Sequence, residues 1–341
     1  MSVILQDLKA AARGEVVEQA PLAPRTSVRV GGPARFFVRP RDPAALVAVL
    51  AVLRAAGVPH FTLGGGANTI VGDGGIDAAV LKLGPDFADE EIVEGGDHIV
   101  LTLCAGAPAA RFLQVPRLER GVGVAWVAGI PGTIGGLCAM NAGTPSGCMA
   151  DHLLEVEVAE ATGLRWIPAK DLKLAYRHCE LPAGSVVVRA KCRVRRGTEA
   201  DLRVEARTAA DDLEARRLKQ PLHQPNSGSV FVNPPGDHAG RLIEAAGLKG
   251  ARQGLAQISD RHANFIVNLG GATADDVVQL IALARRTVRE KSGITLQPEV
   301  RLVGKFIPDL PDELQAASGA SPVKARREAK LLESAPTGGV S

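Results

Sequence analysis

The chain has 341 residues, of which 46% are hydrophobic, and a net charge of +3 at pH 7. At about 150 residues per domain this length suggests two or three domains with real cores. The small charge and a content of one Tyr, two Trp and eight Phe argue against nucleic acid as a partner, and no apolar run approaches the roughly 20 residues of a membrane span, so no membrane insertion is expected. The opening MSVILQDLKAAARGEVVEQ carries acidic residues and no long apolar core, unlike a signal peptide. Cys104, Cys138, Cys148, Cys179 and Cys192 are odd in number and lack metal-ligand spacing, which reads as reduced thiols in a cytoplasmic protein with no metal.

In chain order, residues 1–22 read as a helical lead-in, with Leu5, Leu8 and Ala12 at helical spacing. Ser27–Val30 and Arg35–Val38 read as strands around Gly31-Gly32-Pro33. Asp42-Pro43 starts a helix, with Asp as N-cap and Pro at the first position, whose apolar stripe is Leu46, Leu50 and Leu53. A strand from His60 delivers a first glycine run, LGGGANTIVGDGG, from Leu63 to Gly75. Ala78–Leu83 and His98–Cys104 are strand-like, separated by an acidic, solvated turn at Asp86, Asp89, Glu90 and Glu91. Ala107–Glu119 reads as a helix leading into a second run, VAGIPGTIGGLCAMNAG, from Val127 to Gly143, whose glycines leave little room for a regular helix or strand. Strands at Leu154–Val158, Arg165–Ile167 and Val186–Val194 follow.

Near Gly197 the character changes. A charged helix spans Ala200–Arg217, an extended Pro-punctuated segment follows, and further helices are expected over His238–Ala246 and after a Thr273 cap, with Val277, Ile281, Ala284 and Val288 on one face. Strands are expected at Phe265–Asn268 and Pro298–Val303. The division that results is a lead-in (1–22), a two-lobed domain (23–197, lobes meeting near 84), a C-terminal domain (198–304) and a disordered tail (305–341) without apolar period.

Glycine tolerates positive φ and lets a ligand approach bare backbone, so two glycine-dense loops, each after an apolar run, suit a bipartite dinucleotide cradle. The two runs together resemble the α+β FAD-binding module of the PCMH-type (vanillyl-alcohol-oxidase-like) flavoproteins. The wording IPGTIGG…MNAG, with TSVRVGGPA, AYRHCEL, NSGSVFVNP and LQPEVRLVG, is similar to the UDP-N-acetylenolpyruvoylglucosamine reductase family over roughly Ala23 to Gly304. That resemblance implies an FAD-dependent oxidoreductase using NADP (as NADPH) on a UDP-sugar. It would act in peptidoglycan precursor synthesis, and so in cell-wall biogenesis, cell shape and cell division.

The resemblance assigns the cofactor to Gly64, Gly65, Gly66, Ala67 and Asn68 at the pyrophosphate and to Ile130, Pro131, Gly135, Gly136 and Asn141 along the flavin. No His falls in Leu63–Gly75, and Cys138 is the only reactive side chain in the second run, so noncovalent FAD is expected. Reducing an enolpyruvyl ether requires charge stabilisation at the carboxylate-bearing carbon and one proton. The catalytic residues implied for these tasks are Arg177, Ser229 and Glu299. Their ordinary alternatives are a surface ion pair, a turn hydroxyl, and a strand-end Glu paired with Arg301. Arg216, Lys219, Asn233, His262, Asn264 and Arg301 are implied on the substrate side. No G-x-G-x-x-G follows a strand, so NADPH and substrate would use one flavin face in turn. Tyr176 is the only tyrosine, which resembles the branch of the family lacking a Tyr lid loop. A monomer or weak oligomer is expected. A PCMH-type oxidase that passes electrons to oxygen, and a non-catalytic flavin- or UDP-sugar-binding module, are the competing readings.

Overall fold

A computed structural model describes residues 3–315 of the 341. Helix α1 (Val3–Ala12) buries Leu5, Leu8 and Ala12 and ends at Arg13, whose φ is +49°. The expected helical lead-in therefore stops early. Its second half is strand β1 (Glu15–Pro21), antiparallel to β2 (Pro33–Arg39), because Val16-Val17 suit a pleated surface better than a helix. The strand expected at Ser27–Val30 is absent. Arg29 turns the chain with φ +59°, and Val28 and Val30 are buried as irregular backbone. Helix α2 (Pro43–Ala55) starts as expected, with Asp42 accepting from the Ala45 N–H at 2.8 Å.

Strands β3 (His60–Thr62), β4 (Thr69–Val71) and β5 (Ile76–Leu81) follow. The first sheet has the order β1-β2-β5-β3, with β2, β5 and β3 parallel, so the first glycine run leaves a carboxyl edge, where parallel sheets place ligands. Strands β6 (Glu91–Gly95) and β7 (His98–Cys104) form a hairpin, so the last residue of the expected acidic turn, Glu91, already begins a strand. Glu90 is not merely solvated either, since it accepts from Arg111 Nε at 3.0 Å and Nη2 at 2.8 Å. Helix α3 covers only Arg111–Leu118, because residues before it pair with the second glycine run (Pro108 with Thr133, and the Ala109 N–H to the Gly132 carbonyl at 3.0 Å). Glycine density did not prevent helix there: α4 (Ile134–Ala139) is capped by Thr133 Oγ1 on the Gly136 N–H.

The second sheet runs Gly163–Pro168, Leu153–Glu160, Val186–Arg196, β7, β6. With α1 to α4 it encloses the largest apolar core. Helix α5 (Glu199–Lys219), opened by a Thr198/Asp201 capping box, buries no residue and carries the chain to the C-terminal part. Helices α6 (Ala239–Ala245) and α7 (Ala274–Ser292) build a core with Val230, Phe231, Ile258 and Ile266 that also takes in Val28, Val30 and Ile70. The last strand, Arg301–Val303, pairs in parallel with β4 and so returns to the first glycine run. Packing continues past Gly304: Phe306 is 6% and Leu314 0% exposed, and Leu314 lies in the short helix α8 (Asp312–Gln315). The chain expected to be tail from 305 is thus ordered to Gln315, because those two apolar side chains find a core. The remainder of that expectation lies outside the described residues. Among the described residues no helix is long and apolar enough to cross a membrane. The α+β class expected from the sequence is the one observed.

Candidate active site

The first glycine run is pressed against its surroundings. A Cβ on Gly65 would sit 2.5 Å from Gly132 Cα, one on Gly66 (φ +69°) 2.4 Å from the Arg25 carbonyl oxygen, and one on Gly64 2.8 Å from Thr133 Oγ1. These glycines bring the two runs into contact. The backbone N–H groups of Gly64, Gly65, Gly66, Ala67 and Asn68 have no acceptor among the described residues, while the carbonyls of Gly64, Gly66 and Asn68 accept from Lys82 Nζ, the Ser27 N–H and the Arg301 N–H. Successive unpaired N–H groups on a tight loop form an anion-binding concavity. The donor set fits a dinucleotide pyrophosphate.

The second run is engaged differently. Its N–H groups at Ile130, Ile134 and Gly135 donate to the carbonyls of Val127, Ala107 and Ala105, and that of Gly136 to Thr133 Oγ1. Ile130 is half-buried and Pro131 exposed beside the first run. Cys138 is fully buried, and burial pushes its thiol far above the ordinary range, which suits noncovalent rather than covalent flavin. The side chain of Asn141 donates from Nδ2 to the Ala175 carbonyl (2.8 Å) and accepts at Oδ1 from the Ala150 N–H (2.9 Å).

Three segments converge at the first run. Tyr176-Arg177 forms the tip of a tight hairpin closed by reciprocal bonds between Ala175 and His178, with Arg177 at φ +56°. The segment Asn226–Phe231 is turned by Asn226 Oδ1 accepting from the Gly228 N–H at 2.9 Å, which presents the half-buried Ser229. The Glu299 N–H donates to the Val230 carbonyl at 2.8 Å, so Glu299 and Ser229 stand on adjacent strands of chain. Asn68 Nδ2 donates to the Glu299 carbonyl at 3.0 Å. Arg177 Nε lies 3.0 Å from Glu299 Oε1, with the two side chains 23% and 15% exposed. Burial raises the Glu299 carboxyl above its ordinary value, and the Arg177 charge opposes that rise. The three implied catalytic residues are therefore brought together, and the partner of Glu299 is Arg177 rather than Arg301. Arg301 is exposed, with its guanidinium 5.5 Å from the centre of the Phe61 ring.

The substrate-side residues divide. Arg216, on the last turn of α5, reaches the Gly129 carbonyl (3.3 Å) and is close enough to Arg177 to feel its charge, although burial is the main cause of its lowered basicity. Lys219 is exposed at the end of the same helix. Asn233, Asn264 and His262 each make a side-chain hydrogen bond within the fold. Asn233 Oδ1 accepts from the Ala239 N–H at the start of α6, Asn264 bonds both the N–H and the carbonyl of Phe231, and His262 Nδ1 accepts from the Asn264 N–H. Asn264 thereby holds the strand that carries Ser229. Sequence reading missed the Asn68 side chain as a tie to Glu299, 231 positions away, for which no local signal exists. It also missed Thr133, although Thr before an Ile-Gly-Gly run is a cap signal.

Two family profiles match the chain: one described as UDP-N-acetylenolpyruvoylglucosamine reductase, C-terminal domain, over residues 220–303, and one described as FAD binding domain over residues 34–166. The UDP-N-acetylenolpyruvoylglucosamine reductase of Anaeromyxobacter sp. (strain Fw109-5) is 52% identical over 86% of this chain and 90% of its own length. That of Myxococcus xanthus (strain DK1622) is 51% identical over 86% of this chain and 94% of its own. The crystal structure of the reductase from Thermus caldophilus superimposes with a TM-score of 0.69 at 34% identity, covering 84% of this chain and 98% of that one. With such identity over most of both lengths, the chain belongs to the UDP-N-acetylenolpyruvoylglucosamine reductase family.

Proposed function

We infer that this chain reduces the enolpyruvyl group of UDP-N-acetylglucosamine enolpyruvate to give UDP-N-acetylmuramate, with NADPH as reductant, in the cytoplasm. FAD, which the backbone N–H groups of Gly64, Gly65, Gly66, Ala67 and Asn68 would hold, would supply the hydride chemistry that links NADPH to the substrate CH2 carbon. The protein supplies the rest. Arg177, permanently charged and planar, binds the substrate carboxylate and stabilises the charge that grows beside it. Ser229 donates the proton that quenches the resulting carbanionic carbon, a task for a weak acid only because that carbon is so basic. Glu299, whose carboxyl burial raises and the Arg177 charge holds down, serves the enolate-like charge either by donating a hydrogen bond to it or by orienting a water. Arg216 and Lys219 suit the diphosphate of the UDP-sugar or of NADPH.

The observation that carries this reading is the meeting of Arg177 and Glu299, 3.0 Å apart, beside the Ser229 segment and at the run whose five N–H groups from Gly64 to Asn68 lack an acceptor among the described residues. Five free cysteines suit the reducing cytoplasm, and the chain is read as a monomer or weak oligomer. Steady-state kinetics on yellow, FAD-loaded protein test the reading. Parallel double-reciprocal lines, with substrate inhibition by the UDP-sugar, are expected if one flavin face serves both partners in turn. Intersecting lines would require a second nicotinamide site, and NADPH oxidation that depends on oxygen rather than on the UDP-sugar would indicate an oxidase.

A further inference from the structure

The hairpin that carries Arg177 stands out from the body of the protein. Ala175, Tyr176 and His178 are exposed, and Tyr176 is 65% exposed. Its base is fixed, since Leu172 is fully buried, the Glu180 N–H donates to the Leu172 carbonyl at 2.7 Å, and Lys173 and Glu180 form an ion pair at 3.0 Å. Its tip is tied through the Arg177 side chain, 3.0 Å from Glu299, and through its backbone. Among the described residues, the amide of Asn141 is the only side chain that hydrogen-bonds to the backbone of residues 174–178. Asn141 itself is well fixed: it is 5% exposed, and its Oδ1 accepts from the Ala150 N–H, so a flipped amide would face donor to donor and acceptor to acceptor. Its φ of +40° aims the side chain from the end of the second glycine run toward the hairpin.

We propose that Asn141 is a positioning residue for Arg177, a strut from the second glycine run that holds the Ala175 carbonyl and so sets where the guanidinium meets the substrate carboxylate. The inference rests on the reaction assigned above. It gives Asn141 a task in the step that consumes the enolpyruvyl substrate and none in the step that consumes NADPH. A displacement of about 1 Å at a charge-stabilising group lowers a rate on the order of 10²-fold, so loss of the strut should be seen in one half-reaction only.

The test is anaerobic stopped-flow on FAD-loaded protein with Asn141→Gly and Asn141→Asp. Glycine accepts the positive φ, so the first variant removes the strut without backbone strain. Aspartate keeps the acceptor for Ala150 but sets a carboxylate oxygen against the Ala175 carbonyl. At matched bound FAD, both variants should slow reoxidation by the enolpyruvyl substrate about 10- to 100-fold more than they slow flavin bleaching by NADPH. In an Arg177→Met background, Asn141→Gly should add nothing, because the residue it positions is already gone. Equal slowing of both half-reactions, parental reoxidation in Asn141→Gly, or additivity with Arg177→Met would each overturn the proposal. A parental protein that binds FAD yet does not turn over the enolpyruvyl substrate would overturn the reading beneath it as well.

Discussion

The two glycine runs look alike as text and differ as structure. In the first, glycines let the chain pass so close to neighbouring backbone that a Cβ would clash, while five consecutive N–H groups stay unpaired among the described residues. In the second, the N–H groups at Ile130, Ile134, Gly135 and Gly136 are taken up inside the protein, and the run contains a capped helix and a side-chain strut. Glycine density therefore states only that a Cβ is unwelcome or a φ unusual. Whether the bare backbone faces a ligand or another strand of protein depends on where the N–H groups point.

The sharpest way to break this comparison is Gly65→Ala. Its Cβ would lie 2.5 Å from backbone of the second run, so the two loops must part, and loss of bound FAD is expected by absorbance after gel filtration. Retention of full flavin would show that their contact is not needed for the cradle. Next in size is truncation after Gly304. The Gly74 N–H donates to the Lys305 carbonyl at 2.9 Å, and Phe306 and Leu314 are buried, so this cut loosens the first run and not the second. Each lost buried side chain is worth about 1.5–3 kcal/mol, and a clear fall in Tm with weaker FAD retention is expected, whereas an unchanged Tm would show that this packing is not needed. Thr133→Ala removes the α4 cap and should destabilise by about 1 kcal/mol in urea titration. Gly136→Ala should have the smallest effect, since the site is helical and the nearest atom, Thr133 Oγ1, is 3.5 Å away. It is expected to be neutral or to stabilise by about 0.5–1 kcal/mol, and loss of FAD in that variant would mean the second run also presents backbone to the cofactor.

What the sequence made legible follows from the range of the forces involved. Caps act within one turn, so the starts at Asp42 and Thr273 could be read directly. The resemblance carried by three short motifs implied Arg177, Ser229 and Glu299 for one site, and Arg177 and Glu299 lie 3.0 Å apart beside the segment that carries Ser229. The failures are tertiary. Nothing local reveals that Val28 and Val30 serve a core built mostly from residues beyond 230, or that Arg301–Val303 pairs with Thr69–Val71. The resemblance that implied ligand contacts for Asn141, Asn233 and Asn264 also carried no local sign that their amides bond backbone, at Ala175, Ala239 and Phe231.

The central claim is that Ser229 is the proton donor in a site whose other members handle charge. Its most direct test is the reoxidation of NADPH-reduced Ser229→Ala protein by the enolpyruvyl substrate, followed anaerobically at the flavin band with circular dichroism as the folding control. Flavin reduction should proceed at nearly the parental rate, and reoxidation should slow by about 10²–10⁴-fold, the range for a lost general acid. Reoxidation of a folded Ser229→Ala protein at the parental rate would contradict the account and assign the proton to another group, with Glu299 the first to examine.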